Sequence, residues 1–202
     1  MELGKDFYIA LLDPSHCTEK FRLKGGENQP LTAFLKHQAN DLHSANVGKT
    51  YAALQPAPDG SGRDRVIAFI TLTCSEIDIR GGYEIGDCAH ANRYESMPAL
   101  KVARLATDAR FKGRGIGQRL LELAISLAAD HISTTVGCRF LVTDAKQGAV
   151  SFYQRQGFTL LETEVNKARS APVMFLDLNT LLSTEEPLLI QDFFELEIEE
   201  PA

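Results

Sequence analysis

The chain of 202 residues has no tryptophan, three methionines and four cysteines, and it has no apolar run long enough to span a bilayer. The cysteines, Cys17, Cys74, Cys88 and Cys138, are scattered and form no CxxC pair. That spacing argues against a disulfide framework or a zinc site and fits reduced thiols in a cytoplasmic protein. His90 stands two residues after Cys88, but two ligands without a second pair do not make a metal centre, so no metal is expected. The opening MELGKDFYIALLDPS lacks a basic start, a long apolar core and a small-residue cleavage site, so it does not read as a signal peptide. Repeats and low-complexity tracts are also missing. Charge of one sign does not dominate either. The formal charge is −6, yet seven of the 27 acidic residues and none of the 21 basic ones lie in residues 184–202, which leaves 20 against 21 in the rest. A near-neutral body is not that of a strongly basic nucleic-acid binder. Apolar residues make up 44% of the chain, enough for one core. We expect one domain over residues 1–183 and an acidic, hydrophobic extension over 184–202.

What is present begins with an alternation of strands and helices read from period and turn residues. Phe7–Leu12 is apolar and extended. Pro30 stands near the first position of a helix whose buried face is Leu31, Phe34, Leu35 and Leu42. Thr50–Gln55 and Val66–Cys74 read as strands joined by the turn-rich PAPDGSGRDR. Residues 76–98 are polar and irregular, as a loop lining a cleft would be. Arg139–Thr143 is a buried strand, Lys146–Gln156 a helix ended by Gly157, and Phe158–Leu161 and Val173–Leu178 the last strands, with a polar loop from Glu162 to Ala171. This order predicts an α/β fold, a mixed central sheet flanked by helices.

The stretch Leu100–Leu121 organises the rest. It reads as a strand, a turn, a glycine-rich loop and a helix with Ile116, Leu120, Leu123, Ala124 and Leu127 on one face. Strict alternation would put Val102, Arg104 and Ala106 on one side of the strand and Lys101, Ala103 and Leu105 on the other. Glycines before a helix N-terminus suit a phosphate or pyrophosphate, because the backbone is accessible and its first N–H groups are unpaired. A P-loop is excluded because no Gly-Lys followed by Ser or Thr closes the loop. A dinucleotide fingerprint starting at Gly113 fails at Gln118.

Lys112-Gly113-Arg114-Gly115-Ile116-Gly117 resembles the acetyl-CoA loop of the GNAT N-acetyltransferases, with lysine where arginine or glutamine is usual. About thirty residues on, Ala149, Tyr153, Gly157 and Phe158 fall at the spacing of the second GNAT signature, with Lys146 in place of its asparagine. Within that family the chain is most similar to the toxin-like branch that acetylates aminoacyl-tRNA. Leu31, Phe34, Leu35 and Ala39 resemble that branch's first helix. Arg93-Tyr94, Arg104-Leu105-Ala106 with Asp108, and Asp144-Ala145-Lys146 resemble three more of its segments.

The resemblance implies a GNAT fold, acetyl-CoA as donor and an amine acceptor. It implies that the backbone of Leu105, Ala106 and Thr107 aligns the pantetheine and thioester. The N–H groups of Lys112, Gly113, Arg114, Gly115, Ile116 and Gly117 would hold the pyrophosphate, with Lys146 nearby. Arg110, Lys112 and Arg114 read either as a solvated basic turn or as added charge on the pyrophosphate. Tyr153 reads either as a packed aromatic like Phe152 or as the general acid that protonates the leaving thiolate. A phenol with a pKa near 10 is protonated at neutral pH, and its spacing to Gly157-Phe158 favours the acid. No general base stands out among Glu76, Glu84, Glu95 and His90. An α-amine, already partly neutral at pH 7, needs one less than a lysine side chain does. The acceptor stays open between a small molecule or protein amine and charged tRNA. A homodimer and an antitoxin partner also stay open. A non-catalytic acyl-CoA-binding module is the rival from another class. In residues 184–202, Leu188, Leu189, Ile190, Phe193, Phe194, Leu196 and Ile198 are more large apolar residues than a disordered acidic tail usually holds, so packing against a surface is expected.

Overall fold

The computed structural model describes residues 1–58 and 62–182, with the backbone alone at Glu27 and Leu182. The expectation for residues 184–202 lies outside the described residues. In chain order the elements are β1 (Tyr8–Leu11), α1 (Gln29–His37), α2 (Ala39–Ser44), β2 (Lys49–Gln55), β3 (Arg65–Ile77), β4 (Met97–Thr107), α3 (Ile116–Ser126), α4 (Ser133–Thr135), β5 (Phe140–Asp144), α5 (Val150–Arg155), β6 (Thr159–Leu160), α6 (Glu164–Lys167), β7 (Val173–Asp177) and α7 (Leu178–Leu182). Seven strands form one mixed sheet in the order β1-β2-β3-β4-β5-β7-β6. Only β4 and β5 run parallel, and α3 makes the crossover between them. The expected α/β architecture is therefore what the chain adopts.

Apolar residues cover both faces of the sheet. On one face α3 buries Ile116, Leu120, Leu121 and Ala124 against Ile70, Leu72, Leu100, Val102 and Leu141. Ile116, Leu120 and Ala124 belong to the predicted stripe, Leu127 is only partly buried against this cluster, Leu123 is buried outside it, and Leu121 is not in that stripe. Burying each large side chain contributes about 1.5–3 kcal/mol. A π-helical segment, Leu127–Ile132, extends α3 and keeps Ala128 and Ala129 buried. The opposite face has two separate clusters. Phe21, Phe34, Leu35, Leu54 and Phe69 lie under α1. Ile77, Ile79, Ile85, Met97, Phe140 and Phe175 lie under the 76–98 segment. Tyr83 sits edge-on to Phe140 and Phe175, which ties that loop to the sheet.

Three local differences from the sequence reading follow from tertiary context. The first helix stops at His37 and restarts at Ala39, so Leu31 and Leu42 are only half-buried at its rim. β3 runs to Ile77, three residues further than its apolar run, because β4 pairs with it as far as Met97. The polar loop after β6 contains a short helix, α6, capped by the Thr163 hydroxyl, which accepts from the Asn166 N–H at 3.2 Å.

Candidate active site

The sheet opens where β4 and β5 part. Their ladder covers Ala99–Val102 of β4 against Phe140–Thr143 of β5 and then ends. β4 continues to Thr107, held on its other edge by β3 down to Ala68. Among the described residues the β4 edge from Ala103 to Thr107 has no strand beside it. A backbone edge left unpaired beside a deepening gap can pair with an extended ligand. Leu105, Ala106 and Thr107 lie on this edge.

The glycine-rich loop stands at the end of the same strand. Gly113 and Gly115 have φ of +81° and +79°, and a Cβ at either would meet nothing within 4 Å. Their glycines are needed for the left-handed backbone, and the space above them is open. Gly115 is the N-cap of α3. The N–H groups of Gly115, Ile116 and Gly117 donate no hydrogen bond among the described residues. Gly117 is constrained by proximity instead, since a Cβ there would lie 3.3 Å from Thr107 Oγ1 and 4.0 Å from Phe152 Cζ. The loop, the β4 edge and α5 thus converge, and free donors at a helix N-terminus suit a pyrophosphate.

Tyr153 sits at the last rung of the β4–β5 ladder. Its ring is buried, 6% exposed, with Phe152 and Phe158 at centroid distances of 5.2 and 5.3 Å. Burial pushes the phenol above its ordinary pKa of 10, and a hydrogen bond with the Thr143 hydroxyl partly offsets the rise. Thr143 itself is buried and donates to the Val102 carbonyl at 3.1 Å. The phenol therefore holds its proton firmly at neutral pH.

The three basic residues predicted around the loop divide. Arg110 is held by Asp108: its Nε donates to Oδ1 at 2.9 Å and its Nη2 to Oδ2 at 2.6 Å, and Nη2 also donates to the Lys20 carbonyl. Arg114 lies over the Phe111 ring, 5.4 Å from its centroid, and Lys112 is exposed. Lys146 is exposed too, and its Nζ donates to Asn28 Oδ1 at 3.3 Å, so it reaches from the end of β5 to the start of α1. The side chains of Arg110 and Lys146 are thus engaged by the protein, while Lys112 and Arg114 stay beside the loop.

The β4 face assignment needs correction. Thr71 pairs with Arg104 and Leu72 with Val102, so Ala103 is an extra residue that bulges out. The alternation restarts there. Val102 and Leu105 belong to the α3 face, while Lys101, Arg104 and Ala106 share the other. No glycine or proline marks the bulge in the sequence. On that second face a cavity of about 520 Å³ is lined by Glu76, Asp78, Arg80, Lys101, Asp144 and Arg169, among others. Lys101 Nζ is 2.5 Å and Arg169 Nη2 3.1 Å from the carboxylate of Asp144. The spacing of the chain gave no signal for this cluster. Of the residues weighed as a base, Glu76 lines the cavity and accepts from Ser96 Oγ at 2.8 Å, and Glu95 pairs with Arg80 at 3.2 Å. Glu84 and His90 are exposed. Among the described residues no group of three or more His, Cys, Asp or Glu could hold a metal. No helix among them is long and apolar enough to cross a membrane.

Residues 63–160 match the acetyltransferase (GNAT) domain family. A sequence search of curated proteins returns no match. Among solved structures, the chain is similar to a tyrosine-to-phenylalanine mutant of KacT, with a TM-score of 0.75 at 21% identity over 88% of this chain and 98% of that one. It is similar to AtaT complexed with acetyl-methionyl-tRNAfMet, with a TM-score of 0.73 at 21% identity over 88% and 98%. It is also similar to AtaTR bound with AcCoA, with a TM-score of 0.66 at 22% identity over 88% and 96%. At these identities the likeness is one of fold.

Proposed function

We propose that the chain is a GNAT acetyltransferase, residues 63–160 matching that domain family, and that it transfers an acetyl group from acetyl-CoA to a primary amine by direct attack when both are bound. The observation that carries this reading is the convergence of an unpaired β4 edge, an open glycine loop with free N–H groups and a buried, protonated Tyr153 at the point where the ladder ends. Acetyl-CoA supplies the acetyl group activated as a thioester. The N–H groups of Lys112–Gly117 hold the pyrophosphate, with charge from Lys112 and Arg114 added at longer range. The backbone of Leu105, Ala106 and Thr107 aligns the pantetheine beside β4. Tyr153 Oη keeps its proton until sulfur departs and gives it up there. The acceptor enters from the face of Lys101 and Arg104, where the cavity opens.

A second reading narrows the acceptor to the α-amine of an aminoacyl-tRNA. The observation that favours it is the match to AtaT with acetyl-methionyl-tRNAfMet, which extends over 88% of this chain and nearly all of that one. An antitoxin partner belongs to this reading, since the similar structures include a tyrosine-to-phenylalanine mutant of the AtaT toxin bound to the C-terminus of the antitoxin AtaR and acetyl-CoA. A calorimetric titration with acetyl-CoA tests the first reading, and thiol release with small amines, peptides and charged tRNA as acceptors tests the second. Absence of acetyl-CoA binding would overturn both. Turnover of small amines or peptides, with charged tRNA inert, would remove the tRNA reading alone.

A further inference from the structure

The bulge at Ala103 places two cations, Lys101 and Arg104, three residues apart on one face of β4 at the mouth of the gap. Strict alternation would have pointed them to opposite faces. Their situations differ. Lys101 shares the Asp144 carboxylate with Arg169. Arg104 has no such partner. The Cζ of its guanidinium lies over the Phe34 ring of α1, 3.8 Å from the centroid. Among the described residues no acceptor or carboxylate pairs with it, and burial alone acts on its pKa, lowering it. A half-buried guanidinium is expensive to desolvate and is usually placed to meet a carboxylate or phosphate. The ring occupies one flat face of the group and leaves its in-plane N–H donors for a ligand. Lys146 adds a further cation at the end of β5, within reach of the start of α1. The cavity on this face sets Arg80, Lys101 and Arg169 against Glu76, Asp78 and Asp144, and Arg104 and Lys146 are further cations outside that lining.

We propose that Arg104 selects the acceptor: its N–H donors bind an oxyanion, phosphate or carboxylate, carried within a side-chain length of the amine to be acetylated. This rests on the acetyltransferase reading and specifies the acceptor half of the same site. Phe34 covers one side of the guanidinium and positions it. The amine then lies toward the β4 edge and the oxyanion toward α1. Amines that lack an oxyanion, or that carry additional positive charge, bind poorly there.

The experiment uses the full-length protein saturated with CoA, so that the glycine loop is occupied and cannot take up anions. Two matched pairs of probes are titrated by calorimetry: O-phosphoethanolamine against ethanolamine, and glycine against glycinamide. The wild type should favour the anionic member of at least one pair by roughly ten- to a hundred-fold, the range for a hydrogen bond to a charged group. Which pair shows the preference distinguishes phosphate from carboxylate. Arg104→Gln should lose the preference while it binds CoA as before, and Arg104→Lys should recover part of it. A melting curve and CoA affinity check that each variant is folded. Phe34→Leu, which leaves the charge but removes the platform, should weaken the preference without abolishing it. A wild type that does not separate either pair overturns the assignment, and so does an Arg104→Gln variant that separates them as well as wild type. If the wild type fails to bind CoA, the acetyltransferase reading falls with it. If CoA binds and the pairs are not separated, only the role of Arg104 falls.

Discussion

Burial and one hydroxyl neighbour set the protonation state of Tyr153, and both leave it neutral over the working range of pH. Its pKa is raised by burial, so an alkaline loss of kcat due to this group should have its midpoint above pH 10. The same sign applies to stability. A folded-state pKa above the unfolded value favours the folded form below pH 10, and that contribution is lost as pH rises from about 10 through the raised value. Tyr153→Phe keeps the packing with Phe152 and Phe158 and removes the hydroxyl, with its proton and its hydrogen bond to Thr143. We expect acetyl-CoA affinity to be unchanged and kcat to fall by roughly 10²–10⁴. Steady-state kinetics beside a binding titration checks this, and unchanged turnover would take Tyr153 out of the chemistry. Gly115 is tested at the same scale by two substitutions. Gly115→Ala meets open space but must hold φ near +79°, which costs about 1 kcal/mol and weakens acetyl-CoA binding only in part. Gly115→Asp adds a negative charge among the free N–H groups, and a folded variant should bind no acetyl-CoA by calorimetry.

At the scale of elements, the loop and the helix that follows it were legible in the sequence because their signals are local. A glycine with positive φ, an amphipathic stripe and the spacing from Ala149 to Phe158 each lie within one or two turns of chain. The bulge at Ala103 was not legible. It is fixed by the register between β3 and β4, and the apolar alternation of VARLA reads equally well without it. Asp108 was hidden for a similar reason, since its partners come from three parts of the chain. It accepts from the N–H and the guanidinium of Arg110, from the Arg22 N–H at 3.1 Å, and lies 3.5 Å from Arg65 Nη2. It thereby ties the segment before α1 to the turn that leads into the glycine loop. Burial pushes its carboxyl up, but the bonds from Arg110 and the two backbone N–H groups outweigh this and hold it below the ordinary 3.8. A depressed carboxyl pKa gives stability that is present above the unfolded value and is lost as pH falls through the folded one. Acid unfolding should therefore set in below about pH 4. Asp108→Asn should remove part of that pH dependence and cost roughly 3 kcal/mol, at the low end for breaking a buried pair because Arg110 can turn to solvent. Denaturant melts of both proteins at about pH 5 and about pH 2 measure it. If the two lose equal stability between those values, Asp108 is not the titrating tie.

At the scale of the whole molecule, charge is divided unevenly between residues 184–202 and the rest of the chain. Residues 184–202 carry seven acids and no base, and the remainder is close to neutral with 20 acids against 21 bases. That average concealed Arg104, a half-buried guanidinium with no carboxylate partner among the described residues, so a near-neutral body does not argue against an anionic acceptor as strongly as its composition implies. The acidic segment acts in the opposite sense on any polyanion, because like charges raise the energy of approach within about a Debye length, roughly 8–10 Å at 0.1–0.15 M salt. Truncation after Ser183 removes those charges. If the acceptor is charged tRNA, the truncated protein should show a lower KM for it at low salt, and the gain should fade as salt rises through 0.2 M, because phosphate contacts are weakened by counterions. A small amine acceptor should show the same KM with either protein. The apolar residues of 184–202 add a second readout, since loss of a packed segment would also lower the melting temperature. Equal KM for tRNA at low salt, together with equal melting temperature and oligomeric state, would mean that residues 184–202 neither screen the site nor pack against the domain.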